Sequence, residues 1–223
     1  MAHILGNITG AFRKNAPLEV LTHPNPLLYQ KCEEIDIAHD EDLPSLVKGL
    51  VQAMRTFDGV GLAASQAGIL KRVLIYDISE SQDEPQVLIN PVITDHSEEL
   101  STADEGCLSF PNIYFPVTRP SRVTVKAYDV AGEPILLEDI EGLLARVVQH
   151  ECDHLDGVMI VDRAKPHIRK TALRTYATYE YQPEEYITIV DAQTFEAEIS
   201  PGAIAHGANG ETIIFAHDEA IDE

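Results

Sequence analysis

Between Ile140 and Leu155 the chain reads as one long amphipathic helix whose apolar stripe runs into two histidines. Leu143 and Val147 are followed on the same face by His150 and His154, and Gly157 ends the period. A face that points at the core cannot carry unpartnered imidazoles cheaply, because a buried polar group without a partner costs free energy. The helix is therefore expected to be central and its histidines engaged. Side chains four apart on a helix project the same way, so both imidazoles of His150-Glu151-Cys152-Asp153-His154 reach toward one ion. Glu151 sits beside the first ligand, where it can approach water in an open coordination position. Two surface histidines beside acids are the rival reading of these five residues.

A metal site of this kind needs a third protein ligand. Asp162 is available but lies beyond the helix end at Gly157. Cys107 is the better candidate: in Glu105-Gly106-Cys107-Leu108-Ser109, Gly106 permits a tight backbone path and Leu108 begins a return toward the interior. One thiolate and two neutral imidazoles leave a fourth position for water. Without the histidines, Cys107 would read as a small buried hydrophobe. Cys152, two residues from His150, points away from the shared face and reads as packing. With Cys32 the cysteines number three, an odd count that suits free thiols in a reducing compartment.

A second loop draws attention at Gly59-Val60-Gly61-Leu62-Ala63-Ala64-Ser65-Gln66. It lacks the third glycine of a dinucleotide fingerprint and the Lys-Ser or Lys-Thr of a phosphate loop, and it follows a helix rather than a strand. Such glycines let backbone approach a bound peptide, with Gln66 presenting a neutral amide to a developing oxyanion. A turn with a solvent-facing glutamine is the alternative.

The rest of the chain supplies a frame of mixed type. Leu43, Leu46, Val47, Leu50, Val51 and Met54 fall at helical spacing between Asp42 and Thr56. Arg72 to Asp77 and Gln86 to Pro91 are short apolar runs suited to strands, and a turn-rich polar span is expected from there through Glu105. Val123, Val125 and Ala127 alternate with polar neighbours as a half-buried strand, with Ile135 and Leu137 on its return. The fold class is α+β, with mixed, partly antiparallel sheets packed around the central metal-binding helix.

Charge is distributed unevenly. The formal net charge is −21, and the segment from Gln182 to Glu223 holds ten acidic residues and no Lys or Arg. A general affinity for bare phosphate backbone is not expected of such a chain. Arg163, Lys165, Arg169, Lys170 and Arg174 form a local exception, read either as a solvated helix or as a patch that touches a nucleoprotein surface. Apolar runs are too short to span a bilayer, and no signal peptide is evident. We expect a catalytic domain over residues 1–181 and an acidic extension over 182–223, the latter a small hairpin or a loosely ordered tail with strand-like pieces at Tyr186 to Val190 and Thr212 to Phe215.

Taken together, Gly59 to Gln66, Glu105 to Ser109, and His150 to His154 with Ala145 to Gln149 before it and Leu155 to Gly157 after it resemble the three signature motifs of the peptide deformylase family, in that family's order. The resemblance runs from about Val20 to Pro166. It implies removal of the formyl group from the initiator methionine of new polypeptides, in a bacterial cytoplasm or an organelle of bacterial descent. It implies ferrous iron as the native metal, with zinc, nickel or cobalt as substitutes. By position it makes Cys107, His150 and His154 the ligands, Glu151 the acid–base, and Gln66 with the Leu108 N–H the oxyanion donors. It places Val60, Gly61, Leu108 and Cys152 around the substrate; the basic run from Arg163 to Arg174, read from its charge, is the candidate for a transient ribosome contact. Departures from the pattern are Tyr29 after Leu28, Val60 for a common isoleucine, the acidic extension, and Phe110, whose bulk is expected to narrow the groove. The same metal-site residues also suit two other classes, a metallopeptidase cutting internal peptide bonds and a structural zinc protein with an acidic binding tail.

Overall fold

The structure is a computed structural model and describes residues 18–178, 186–191, 204–206 and 212–216. Expectations for the first seventeen residues and for most of the acidic extension lie outside the described residues. In chain order the elements are α1 (Leu43–Thr56), β1 (Gly61–Ala63), β2 (Val73–Tyr76), β3 (Gln86–His96), β4 (Leu100–Cys107), β5 (Phe110–Pro120), β6 (Arg122–Tyr128) and β7 (Pro134–Glu141). They continue as α2 (Gly142–Leu155), α3 (Ile160–Arg163), α4 (Pro166–Thr178), β8 (Ile187–Asp191), β9 (Ile204–His206) and β10 (Thr212–Ala216).

Two five-stranded sheets organise these elements, in the orders β1-β2-β3-β6-β7 and β4-β5-β8-β10-β9. The first is antiparallel throughout and sits between two helices. Side chains alternate across a strand, so the unbroken run of β2 serves both faces. Val73 and Ile75 pack with Leu46, Leu50 and Met54 of α1, whereas Leu74 and Tyr76 join Ala145, Val148 and Leu155 of α2. That explains why Val73 to Tyr76 lacks the apolar-polar alternation of a half-exposed strand. In the second sheet, Phe110, Ile113, Phe115 and Val117 of β5 pack on Met159 to Val161 and on Ile168 and Ala172 of α4.

The expected turn-rich span before Glu105 is instead strand. β3 continues to His96, and β4 pairs with β5 from Leu100↔Pro120 to Cys107↔Phe110. Residues 100–104 are exposed, so no core face imprints an alternating pattern, and the ladder is held by backbone hydrogen bonds, which are indifferent to side-chain polarity. Helix α2 starts at Gly142 rather than Ile140, because β7 keeps pairing with β6 through Val123↔Ile140 and Arg122↔Glu141. Its Leu143 is 56 % exposed and lines a cleft, so the stripe faces the site at that end rather than the core.

The strand-like pieces beyond Tyr181 appear as β8 and β10. β8 adds in parallel to β5 with Ile113↔Ile187 and Tyr114↔Thr188, and β10 pairs in parallel with β8 and antiparallel with β9. Asp191 fastens β8 to the α4 region, accepting from Lys165 Nζ at 2.8 Å and meeting His167 Nε2 at 3.0 Å. The basic run is split at Pro166: Arg163 and Arg169 ion-pair with Asp153 and Asp162.

Phe110 does not narrow any groove. It is fully buried, stacked on Tyr176 with centroids 4.3 Å apart and edge-on to Phe115 at 6.2 Å. We predict that Phe110→Ala lowers the unfolding free energy by about 3–5 kcal/mol in urea titrations, the range for deleting a buried aromatic ring.

Candidate metal centre

The β4–β5 hairpin and helix α2 meet at three side chains. Cys107 closes β4, and its Sγ lies 3.1 Å from His154 Nε2. The rings of His150 and His154, one turn apart on α2, have centroids 5.0 Å apart. One ligand atom from each of Cys107, His150 and His154 lies within 4.8 Å of the others, and this is the group of three His, Cys, Asp or Glu side chains among the described residues that could hold an ion. Asp162 is engaged elsewhere, accepting from the Met159 N–H at 3.1 Å and pairing with Arg169 at 2.9 Å.

The electrostatics suit a cation. Burial dominates at His154 and, with the charges of His150 and Arg119, pushes its pKa well down, which keeps the imidazole neutral as a ligand must be. Burial acts the same way on His150, but hydrogen bonding to Cys107 and Glu105 outweighs it and raises the pKa. The causes that raise it, Cys107, Glu105 and Glu151, place negative charge around His150, which suits a cation held there. His150 Nδ1 meets Glu105 Oε2 at 3.0 Å, a contact that assigns the proton to Nδ1 and leaves the Nε2 lone pair for metal. Two buried atoms without a hydrogen-bond partner, His154 Nδ1 and Glu151 Oε2, belong to this same site. Each such atom calls for a partner, and a bound ion, water or substrate is one that a site of this kind supplies.

Glu105 is the hub behind the three converging side chains. Its two oxygens accept from Arg119 Nε at 2.7 Å and Nη2 at 2.9 Å, and from Arg146 Nη1 at 2.6 Å. Arg119 spends its remaining arm on Asp153 Oδ2 at 2.7 Å, where Arg163 Nε also donates at 3.0 Å. Both residues are buried, Glu105 at 6 % exposure and Arg119 at 4 %. Burial alone would raise the Glu105 pKa, but hydrogen bonds from His150 and Arg119 and the Arg119 charge win and hold it at about 2 against an ordinary 4.5. Sequence reasoning gave Glu105 no role beyond its motif and missed Arg119. An arginine between Thr118 and Pro120 carries no local sign of burial.

Around Cys107, His150 and His154 stand the other expected residues. Gln66 is 1 % exposed, which removes the solvent-facing alternative. Its Oε1 accepts from the Ala63 N–H at 2.8 Å, and its Nε2 faces Ser109 Oγ at 3.2 Å and Cys107 Sγ at 3.8 Å. The amide is thereby turned donor-first toward the sulfur. Glu151 is buried, and its pKa is pushed up to about 7 mainly by burial. Its Oε1 lies so close to the β1 backbone that a Cβ on Gly61 would stand 2.5 Å from it, so a side chain there would displace the carboxylate.

These groups open into a cleft of about 930 Å³ lined by Val60, Gly61, Gln66, Leu108, His150 and Glu151 among others. Cys152 does not line it. That thiol is 4 % exposed, packs in the α2 core cluster, and has its pKa pushed up to about 12 by burial, which disfavours the thiolate needed for ligation.

Comparison with known proteins gives a consistent answer. The family model described as polypeptide deformylase matches residues 17–170. A peptide deformylase of Natranaerobius thermophilus is 45 % identical over 152 residues, spanning 68 % of this chain and 95 % of that protein. The crystal structure of a peptide deformylase from Synechococcus elongatus in complex with actinonin superposes with a TM-score of 0.68 at 38 % identity, covering 73 % of this chain and 89 % of that one. A Legionella pneumophila peptide deformylase structure gives a TM-score of 0.67 at 36 % identity, covering 73 % and 94 %.

Two outcomes are predicted for this centre. His154→Ala should retain no stoichiometric divalent metal after dialysis, by elemental analysis against the wild-type chain. A carboxylate whose folded pKa is depressed contributes stability above its unfolded value, and that contribution is lost as pH falls through the folded value. The unfolding free energy should therefore drop between pH 4.5 and about 2, and Glu105→Gln should lack that part of the pH dependence in denaturant titrations.

Proposed function

The chain belongs to the polypeptide deformylase family, and we propose that it performs that family's reaction with Cys107, His150 and His154 as metal ligands and Glu151 as the acid–base. It is a metal-dependent hydrolase that takes the formyl group from the N-terminus of nascent polypeptides and releases formate. The observation that carries the assignment of roles is the convergence of three ligand atoms within 4.8 Å beside a buried carboxylate.

The ion, ferrous iron in our reading with zinc, nickel or cobalt as substitutes, supplies Lewis acidity that acidifies water and polarises a carbonyl. Glu151 takes the proton of the attacking water. A carboxylate near pKa 7 is well matched to accepting a proton at neutral pH and giving it up again. Negative charge gathers on the formyl oxygen as the tetrahedral centre forms. Gln66 Nε2 and the Leu108 N–H donate to it, and the Ala63 N–H holds the amide of Gln66 so that its donor end is presented without reorganisation. Glu151 then delivers its proton to the departing methionine nitrogen.

Binding follows from the sheet edge. β1 is the outermost strand of its sheet, and its Gly61 lines the cleft beside Val60 and Leu108. An extended peptide added to such an edge gains main-chain hydrogen bonds independent of its sequence, which suits an enzyme that meets many nascent chains. Cys152 contributes to the methionine end only from behind, as packing beneath the α2 face. The five cations from Arg163 to Arg174 are our candidate for a transient ribosome contact, supported by their clustering in a chain of net charge −21. Residues 1–181 are read as the catalytic domain and 182–223 as an extension. No helix among the described residues is long and apolar enough to cross a membrane, and a cytoplasmic or organellar setting follows from the substrate.

The rivals lack a supporting observation. A structural zinc site closes its shell with a fourth protein ligand, whereas among the described residues three side chains converge here. A peptidase would generate a new peptide amine without formate.

Each fixed oxyanion donor is worth about 3 kcal/mol. Gln66→Ala is therefore expected to slow turnover roughly a hundredfold with metal content unchanged, and Glu151→Gln to nearly abolish it, in an anaerobic assay of formate release from a formyl-Met peptide. Full activity in Glu151→Gln would refute the role of that residue.

A further inference from the structure

Two residues that line the cleft, Tyr176 and Tyr186, lie outside the residues matched to the family, and Tyr186 alone of the two belongs to the C-terminal extension. Tyr186 stands just before β8, past the matched span of 17–170, and lines the same cleft as Glu151 and His150. Its ring meets that of Tyr114 edge-on, with centroids 5.8 Å apart and planes at 63°. Tyr114 in turn rests against the backbone of Gly106: a Cβ there would stand 2.8 Å from Tyr114 Cζ and 2.9 Å from its Cδ1. Gly106 precedes the ligand Cys107. A continuous line of contact thus leads from the C-terminal extension to the metal centre.

The pair is held by the fold and still open to a ligand. β8 is registered on β5 through Ile113↔Ile187 and Tyr114↔Thr188, which brings the two tyrosines together, and the Tyr186 carbonyl accepts from the Thr212 N–H at 3.0 Å. Tyr114 is 36 % exposed and Tyr186 50 %. Two rings fixed edge to face present flat apolar surface to the cleft at little cost in side-chain entropy, a good seat for an aromatic or large aliphatic side chain.

We propose that Tyr186, with Tyr114, forms a binding wall for the polypeptide that follows the formylated methionine, and that it favours apolar and aromatic side chains there. The extension is then a specificity element of the enzyme. This rests on the deformylase reading, since the occupant is the downstream part of that substrate.

The test compares formyl-Met-Ala with longer formyl peptides carrying Phe or Ser at the second, third or fourth residue. In the wild-type protein at least one position should favour Phe over Ser in kcat/KM by roughly threefold to tenfold, the range expected of one aromatic contact. Tyr186→Ala should reduce that ratio to about one, through KM rather than kcat, and Tyr186→Phe should restore it, because the ring and not the hydroxyl makes the contact. No discrimination at any position, or discrimination that survives Tyr186→Ala, overturns the proposal. So does an equal loss on formyl-Met-Ala and on the Phe peptides, which would assign Tyr186 to holding the fold. Wild-type protein that releases no formate from either substrate overturns the functional reading, and the proposal falls with it.

Discussion

The bidentate ion pair between Glu105 and Arg119 is the contact on which the arrangement of this molecule turns. One partner lies on β4 and the other on β5, so the pair stiffens the hairpin that ends at Cys107. Its outer bonds all go to α2: Glu105 to Arg146 and His150, Arg119 to Asp153. Those three positions share a helix face, so a single charged cluster clamps the hairpin onto the helix and sets the distance from Cys107 to the histidines. Burying Glu105, Arg119 and Asp153 is expensive in itself, and such a cluster is not required for stability alone. Its return is positional, because each charge is met by another and the side chains it orients cannot drift independently.

The proposed chemistry draws on two polar side chains, Glu151 and Gln66, that the fold holds beside the three converging side chains. Glu151 is buried with its Oε2 unbonded among the described residues, and its raised pKa follows from that burial. Gln66 shows a complementary device: its carbonyl end is pinned by the Ala63 N–H, while its donor end bonds Ser109 Oγ at 3.2 Å and faces Cys107 Sγ at 3.8 Å. In the proposed reaction, charge that develops nearby meets a donor already aimed. The glycine at position 61 is required by the same crowding, since any side chain would displace the carboxylate.

Much of this was legible in the chain because it is encoded locally. The i, i+4 histidines, the Gly59 to Gln66 loop and the Cys107 hairpin each lie within a few residues, and the apolar periods of α1 and α2 point to the cores they build. What was not legible is what emerges only from pairing. Leu100 to Glu105 reads as polar turn because an exposed ribbon needs no apolar alternation, and its partner is a separate segment. Arg119 reads as a surface residue until the strand it occupies brings it between Glu105 and Asp153. Phe110 was expected in the groove, but Tyr176, far along the chain, draws it into the core. Tyr186 was part of an expected strand, yet its place in the cleft depends on parallel addition to β5, which no local pattern announces.

The central claim is that one sulfur and two imidazoles bind the ion and leave its fourth position to exchangeable solvent. X-ray absorption spectroscopy of the zinc-loaded protein tests it most directly. The account requires a single sulfur scatterer at about 2.3 Å, two imidazole nitrogens at about 2.0–2.1 Å and one further light atom that substrate or inhibitor replaces. A second sulfur, which would bring Cys152 into the shell, or a shell without sulfur, would contradict it.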